Sequence, residues 1–317
     1  MKKIIGKKRA DHAGMKSKWA VVKKNRLLYF MMLPGLLYFL IFKYLSMPTG
    51  FLIAFKDYLP WEGIAGSKWV GLYYFKRIFT SSVFPRLMKN TLTLSALGIV
   101  FAFPSSIILA LMINEVKNRA FKKTVQTISY LPYFISWVVV SGLLYNLLDT
   151  NAGVINNILQ AFGMDPVRWY TESGKWYGIM TIVKIWKSCG WGTITFLAAI
   201  TSIDVGLYEA AVVDGANKFR QMWHITLPGI MPTIVVTFIL TLGKIFKEDF
   251  EAIYAIVGTN DVLYETMDVF ETWVYRNTLN GSYSISAAMG LFQNILSLIL
   301  IIAANKLARR YEQASIW

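Results

Sequence analysis

Six stretches of about 20 mostly apolar residues recur along this 317-residue chain and constrain its fold more than any other feature. A helix needs about 20 residues to cross the ~30 Å of hydrocarbon in a bilayer. The stretches lie roughly at residues 27–48, 91–113, 125–148, 177–200, 232–257 and 286–308. They predict an all-α membrane protein with six transmembrane helices in a lipid bilayer.

The basic residues indicate how these helices are oriented. The net charge is +15, and ten of the 33 Lys and Arg residues fall in residues 1–26. With that segment inside, the inner segments carry 19 cations, whereas those near 49–90, 149–176 and 258–285 carry at most six, two and one. The positive-inside rule places both termini in the cytoplasm, and charge concentrated beside a membrane helix argues against a nucleic-acid partner. The predicted domains are a basic cytoplasmic tail at 1–26 and a transmembrane domain at 27–317.

The sequence lacks residues that several other protein classes require. Cys189 is its single cysteine and it has two histidines, so a disulfide framework, a metal cluster or a histidine-based catalytic centre is not expected. There is also no G-x-x-x-x-G-K-[ST] phosphate loop. We therefore expect a chain that is not an enzyme and has no cofactor of its own.

The segment between the fourth and fifth stretches carries the most informative pattern. Ser202–Pro232 reads SIDVGLYEAAVVDGANKFRQMWHITLPGIMP, which is too long for a tight turn and too apolar for a solvated loop. Asp204 can cap the start of a helix, and Gly215 falls where that helix would end in the left-handed conformation that glycine tolerates. A second amphipathic segment follows at 217–226. The loop at 202–231 therefore suits docking on a partner protein.

This loop resembles the EAA motif of the permease subunits of ABC importers. Glu209-Ala210-Ala211 is followed, without a gap in the pattern, by Gly215 after three residues and by Ile225-x-Leu227-Pro228 after nine more. The resemblance implies the type I importer fold, in which the first short helix is a coupling helix that inserts into a separate ATPase subunit. The implied ATPase-coupling residues are Glu209, Ala210, Ala211, Asp214, Gly215, Ile225, Leu227 and Pro228. From the residues alone, an amphipathic helix lying on the membrane surface is the alternative.

Longer stretches at 27–58, 185–216 and 268–310 look like the aldouronate-type branch of carbohydrate permeases, which is similar to the maltose-type group. This resemblance implies alternating-access import of oligosaccharides, including uronate-containing ones, across the bacterial cytoplasmic membrane. The implied partners are a second related permease, two ATPase subunits that bind ATP and Mg, and an external solute-binding protein. The sequence departs from the branch in its more heavily charged run at 244–251, KIFKEDFE.

Ionisable residues inside the fourth and fifth stretches predict a path for the substrate. Charges in hydrocarbon are costly and normally face the bundle interior or a watery cavity. Helix geometry predicts two charged faces, one on each span, and two lysines would suit a uronic acid. The candidates are Lys184, Lys187, Trp191, Lys244, Lys247, Glu248 and Glu251. Alternatively, pairs four residues apart neutralise each other, and the lysines of the fourth span contact another helix or the neighbouring permease.

Other functions and roles remain open from the sequence. A permease for a non-sugar solute fits the same motif. An ion-coupled secondary transporter could use the run at 244–251 as its ion site, although this leaves the EAA pattern unexplained. Gly190 and Gly192 allow either a hinge movement or close helix packing.

Overall fold

The computed structural model of the chain describes residues 23–247 and 250–310. Most of the predicted basic tail at 1–26, and also Glu248, lie outside these residues. The chain divides into two compact units, residues 1–71 and 72–317.

The first unit begins with a long apolar helix that changes its hydrogen-bonding pattern part of the way along. Helix α1 (Arg26–Phe39) is followed by a π-helical turn, Leu40–Tyr44, and then by α2 (Ser46–Ile53). The whole stretch from Arg26 to Ile53 is long and apolar enough to span a membrane. A short antiparallel hairpin follows, with Lys56 opposite Trp69. The elements are α1 (Arg26–Phe39), α2 (Ser46–Ile53), β1 (Lys56–Asp57), α3 (Gly63–Gly66) and β2 (Lys68–Trp69).

The second unit is built from helices joined by short turns. Its α-helices are α4 (Tyr73–Phe79), α5 (Val83–Leu97), α6 (Phe103–Glu115), α7 (Arg119–Tyr130), α8 (Trp137–Leu148), α9 (Val154–Ala161), α10 (Trp176–Thr201), α11 (Val205–Val213), α12 (Lys218–Gln221), α13 (Leu227–Leu242), α14 (Phe250–Val257), α15 (Tyr264–Met267), α16 (Phe270–Leu279) and α17 (Tyr283–Arg310). Turns of 3-10 helix lie at Leu131–Phe134, Ser173–Lys175 and Asp261–Leu263, and π-helical turns lie at Gly98–Ala102 and Met222–Thr226.

The helices confirm the predicted membrane class, and their number accommodates the six predicted spans. Among the described residues, four continuous helical stretches are long and apolar enough to cross a bilayer, and two bent pairs raise the possible number to six. The predicted third span is one of these pairs, because α7 with its 3-10 turn meets α8 at 98°. In the other pair, α10 meets α11 at 71°.

The predicted fifth span, 232–257, is wrong as a single helix. Helix α13 ends at Leu242, residues 243–246 form a turn, and a new helix begins at Phe250. Gly243 is a weak helix former, and the charges that follow it favour a polar cavity over an apolar helix surface. The sequence predicted that Lys244, Lys247 and Glu251 share one face of a single helix. Because the helix is broken after Leu242, they do not.

Helix α10 organises the second unit. Its first half contributes Trp176 and Met180 to a core cluster that also contains Ile253 of α14. Its second half contributes Phe196 and Ile200 to another core cluster, with partners on α6 and α13. Apolar side chains on both halves are thus removed from solvent and lipid, which fixes α10 as the axis of the bundle.

Close packing explains the two glycines of α10. A Cβ atom at Gly190 would lie 1.9 Å from the carbonyl oxygen of Ser129, and one at Gly192 would lie 2.5 Å from the Ser106 hydroxyl oxygen. Thr193 also donates a hydrogen bond to the carbonyl oxygen of Ser106, at 3.0 Å. These contacts support the packing interpretation of both glycines, because any larger residue would force α10 away from its neighbours.

A buried carboxylate fastens the segment before α16 to α5. The Asp268 side chain is fully buried and forms ion pairs with Arg276 at 2.6 Å and Arg86 at 3.4 Å. Thr272 donates a hydrogen bond to the same carboxylate, at 2.8 Å. The amide of Asn90 on α5 donates to the backbone carbonyl oxygen of Asp268, at 3.0 Å. A buried charge needs such partners, so this network holds the connection between α15 and α16 in one position.

Candidate functional site

Both ends of helix α11 are capped as the sequence predicted. The Asp204 carboxylate accepts a hydrogen bond from the backbone N–H of Gly206, at 2.9 Å. At the other end, Gly215 has a φ of 75°, in the left-handed region. The N–H of Gly215 donates to the carbonyl of Val212, and that of Ala216 donates to Ala211. This pair of hydrogen bonds is a Schellman motif, which ends the helix sharply and satisfies its last carbonyls.

The capped helix presents apolar side chains outward. Val213 is 88% exposed, and Val205, Leu207 and Val212 are also exposed. Glu209 and Ala210 are exposed on the same short helix, whereas Ala211 is half-buried. A nine-residue helix with this much uncovered apolar surface is suited to contact with another protein.

Contacts on the opposite side fix α11 to the rest of the unit. The Tyr208 hydroxyl forms a 2.9 Å hydrogen bond with the hydroxyl of Thr226, which is itself buried. At the junction between α10 and α11, a Cβ atom on Gly229 would lie 2.7 Å from the side chain of Ile203. These contacts join α11 to the end of α10 and to the start of α13.

The remaining residues of the EAA pattern lie on the helical stretch that follows. Ile225 is in the π-helical turn, and Leu227 and Pro228 open α13. Pro228 lies inside the continuous helical stretch Lys218–Leu242, directly after the π-helical turn, and its missing N–H removes one helical hydrogen bond there. Asp214 is the C-terminal capping position of α11. The motif thus comprises the end of α11, the left-handed glycine and part of the helical stretch that follows.

A second candidate site is an open cavity of about 400 Å³ in the second unit, which we call the lysine cavity. Lys184 of α10 lines it together with Lys244 and Lys247, which follow α13. Its other lining residues are Ser95, Gly98, Ile99, Ala102, Trp137, Ser188, Thr241 and Ile245. Three lysines among the lining residues give the cavity positive charge, which suits an anionic occupant.

The turn that replaces the predicted fifth helix shapes this cavity. The Ser95 hydroxyl of α5 donates a hydrogen bond to the backbone carbonyl oxygen of Ile245. This contact holds the turn against α5 and keeps Lys244 and Lys247 at the cavity wall. The sequence missed Ser95 as a site residue, although a serine within an apolar span is a recognisable signal of an internal polar contact.

Lys187 has a different environment from Lys184. Its side chain is buried, and its ammonium donates hydrogen bonds to the backbone carbonyls of Pro132, Tyr133 and Ile135, the first two at 3.3 and 2.9 Å. The ammonium also lies 5.1 Å from the ring centre of Trp137. These carbonyls end the 3-10 turn at the 98° bend. The contacts support a structural role for Lys187, and its part in a substrate path stays a prediction.

Trp191 also packs at the bend instead of lining the lysine cavity. Its ring stacks on that of Tyr133, with centroids 4.5 Å apart and planes inclined by 5°. Glu251 lies in the first turn of α14 and is exposed. Of the seven predicted path residues, the structure brings together Lys184, Lys244 and Lys247.

Glu271 of α16 was not predicted from the sequence as a site residue. It is half-buried, and this burial raises the pKa of its carboxyl, whereas the positive charge of Lys247 acts to lower it. No local pattern links these residues, because 24 positions separate them and only the turn after α13 brings them together.

The fold and the capped loop define a permease subunit of a binding-protein-dependent importer. Residues 102–313 match the family described as "Binding-protein-dependent transport system inner membrane component". The chain belongs to this family and is an inner-membrane component of an ABC transporter. This assignment excludes the ion-coupled secondary transporter, which the sequence alone left as an alternative.

Curated relatives and solved structures agree with the family. The chain is 43% identical over 307 residues to "Protein LplB" of Bacillus subtilis, covering 96% of each. It is 45% identical over 296 residues to the B. subtilis "Polygalacturonan/rhamnogalacturonan transport system permease protein YteP", covering 93% of this chain and 91% of the relative. A solved structure described as a bacterial alginate ABC transporter with an alginate pentasaccharide-bound periplasmic protein contains a chain that is 42% identical, with a TM-score of 0.85. The match covers 94% of this chain and 99% of that chain.

Proposed function

We propose that this chain is the transmembrane permease subunit that carries acidic, uronate-containing oligosaccharides into the cell by alternating access. The lysine cavity is the observation that carries the proposal. Ammonium groups in a membrane protein are costly unless they meet water or an opposite charge. A uronate carboxylate entering the cavity would form charge-assisted hydrogen bonds with the lysines that line it, Lys184, Lys244 and Lys247.

The names of the relatives support an acidic substrate. YteP is named for polygalacturonan and rhamnogalacturonan transport, and a second solved structure, 43% identical to this chain, is described as importing the acidic polysaccharide alginate. These substrates share sugar rings that carry carboxylates. Hydroxyl groups of Ser188 and Thr241 in the same cavity wall suit the neutral hydroxyls of such a sugar.

The proposed energy source lies outside this chain. Two ATPase subunits bind ATP and Mg, and one of them receives the exposed face of α11. A second, related permease completes the membrane path, and an external solute-binding protein delivers the sugar. When ATP closes the ATPase pair, α11 transmits that movement to α10, whose Lys184 lines the cavity. Closure of the ATPases is thereby coupled to a change in the path.

Transport by the reconstituted importer tests the substrate assignment. Lys244→Gln and Lys247→Gln are compared with Lys89→Gln, a control lysine that is exposed and does not line the cavity. We expect ATP-driven uptake of oligogalacturonates or alginate oligosaccharides to fall at least ten-fold in the cavity variants and to be unchanged in the control. Uptake of acidic chains at the wild-type rate by both cavity variants would overturn the proposal.

Pull-down from native membranes tests the coupling assignment. Wild type should co-purify with an ATPase and a second permease, and Glu209→Lys should lose the ATPase while keeping the permease. Glu172→Lys is a matched control, because Glu172 is an exposed carboxylate far along the chain from the EAA motif. Equal recovery of the ATPase with Glu209→Lys and with wild type would count against α11 as the docking element.

A further inference from the structure

Two neighbouring helices carry a group of three aromatic side chains, which we call the aromatic cluster: Phe250 and Tyr254 on α14, and Tyr275 on α16. The ring of Tyr275 lies with its centroid 4.8 Å from that of Phe250 and 5.0 Å from that of Tyr254. Phe250 and Tyr254 stack with their centroids 5.2 Å apart and their planes inclined by 19°. These distances are typical of favourable aromatic pairs, so the three rings hold one another in place.

The aromatic cluster is open, unlike a core cluster. Tyr254 is 44% exposed, whereas Phe270, which packs near the rings of Phe84 and Phe292, is fully buried. Tyr275, on the neighbouring helix, is partly buried. Both tyrosines line a cavity of about 160 Å³, and Arg276 also contributes to its wall. Polar groups on open aromatic rings indicate contact with a polar ligand more than packing alone.

Lys247 connects the aromatic cluster to the lysine cavity. It lines that cavity. Along the chain, Phe250 follows Lys247 by only three residues. Three residues span at most about 11 Å, so the two sites are neighbours along the chain.

The chemistry of the two sites is complementary. An aromatic ring offers a flat apolar face to the C–H side of a pyranose, and a phenol hydroxyl exchanges hydrogen bonds with sugar hydroxyls. The lysine cavity offers positive charge to a carboxylate. A polymer of uronic acids presents both kinds of group in successive residues.

We infer that the aromatic cluster is a second subsite, which stacks one pyranose ring of an oligosaccharide whose carboxylate occupies the lysine cavity. This inference rests on the proposed function. Only a chain long enough to occupy both sites benefits from the aromatic cluster. The cluster therefore makes the rate of transport depend on chain length.

The experiment uses the complete importer in liposomes, with its binding protein present at saturation. ATP-driven uptake is measured for oligogalacturonates of one to four residues, and for alginate oligosaccharides of the same lengths. The variants are Tyr254→Ala, Tyr275→Ala and Tyr254→Phe, with Tyr73→Ala as a matched control because Tyr73 is an exposed tyrosine of α4. Each rate is divided by the wild-type rate at the same length, which cancels the length preference of the binding protein.

We expect the alanine variants to transport the monosaccharide at close to the wild-type rate and the trimer and tetramer at least five-fold more slowly. Tyr254→Phe should retain most of the wild-type rate for long chains, because it keeps the ring face. A variant-to-wild-type ratio that is the same at every length overturns the inference, as does an equal effect of Tyr73→Ala. Should an alanine variant fail to co-purify with its partners, Tyr254→Leu, which fills similar space without an aromatic face, takes its place and should show the same loss.

The lysine variants separate this inference from the proposed function. If Lys244→Gln impairs uptake of acidic chains while the aromatic variants show no dependence on length, only the second subsite is wrong. If neither series of acidic chains is transported by wild type at any length, the proposed function fails and the inference fails with it.

Discussion

The ammonium of Lys187 lies 2.9 Å from the carbonyl oxygen of Tyr133 in a 3-10 turn, and it also donates to the carbonyls of Pro132 in that turn and Ile135 just after it. One side chain of α10 thus satisfies the backbone at the sharpest bend of the bundle. Lys184, three residues earlier on the same helix, lines the lysine cavity instead.

Replacing each of these two lysines should have a different effect, one on the stability of the complex and the other on transport. Lys187→Met leaves buried carbonyls without a donor, at about 1–3 kcal/mol for each unsatisfied group, so the complex should unfold at a lower denaturant concentration. Lys184→Met should lower uptake of acidic oligosaccharides with a much smaller change in the unfolding midpoint. Denaturant titration in detergent, together with liposome uptake, measures both. Equal loss of stability in the two variants would contradict the different roles assigned to them.

Gly190→Ala should destabilise the packing of α10 against α7. The new methyl group would lie 1.9 Å from the Ser129 carbonyl oxygen, so the helices must separate, and overpacking of this kind costs about 1–3 kcal/mol. Gly178→Ala on the same helix is the control, because a Cβ there meets nothing within 4 Å. Thermal unfolding of the purified complex should show a lower midpoint for Gly190→Ala, and an unchanged or slightly higher midpoint for Gly178→Ala. A result in which both variants match wild type would show that α10 and α7 can separate without loss.

Gly215→Val should weaken coupling to the ATPase. A β-branched residue at a φ of 75° is strained, and the left-handed conformation costs about 1–2 kcal/mol for residues with a Cβ, so the Schellman end of α11 should open. Stimulation of ATP hydrolysis by the loaded binding protein should therefore decrease. Gly215→Asn should recover most of the stimulation, since asparagine tolerates this conformation. If valine and asparagine behave alike, the left-handed turn is not what coupling requires.

Asp268→Ala should loosen the connection between α15 and α16. Removal of this buried carboxylate leaves Arg276 and Arg86 without their partner, and breaking a buried pair costs about 3 kcal/mol or more. The Arg86 side chain is 42% exposed, so water compensates part of that loss. Proteolysis of the outer segments, followed by mass spectrometry, should show faster cleavage near residue 268 than in wild type.

Glu172→Ala provides the contrast to this variant. The carboxylate of Glu172 pairs with Lys175 at 2.6 Å, but both side chains are largely exposed, and exposed pairs contribute little. Cleavage and unfolding should remain close to wild type. A similar effect of Glu172→Ala and Asp268→Ala would mean that burial of the Asp268 pair contributes nothing.

The coupling loop could be predicted from the sequence because its signals are local. An aspartate before a helix and a glycine in the left-handed position after it act on the backbone within a few residues. Asp204 and Gly215 accordingly occupy these positions in the structure. The role of the motif in ATPase coupling stays a prediction.

The fifth span could not be predicted in the same way. Its apolar residues continue on both sides of Gly243, so hydropathy alone favours one helix through 232–257. The turn after Leu242 is held by the contact between Ser95 and Ile245, two residues that lie 150 positions apart. A contact between residues so far apart in the chain cannot be predicted from a local sequence pattern.

The sequence by itself determined the membrane class and the capped loop, because hydropathy and backbone conformation depend on neighbouring residues. Tertiary structure alone decided which lysine faces a cavity and which one supports a bend. Lys184 and Lys187 have the same side chain, and three residues at 100° each place them about 60° apart around the helix. What distinguishes them is the surroundings that tertiary structure gives each: Lys184 lines a cavity with two further lysines, and Lys187 meets the carbonyls of a 3-10 turn.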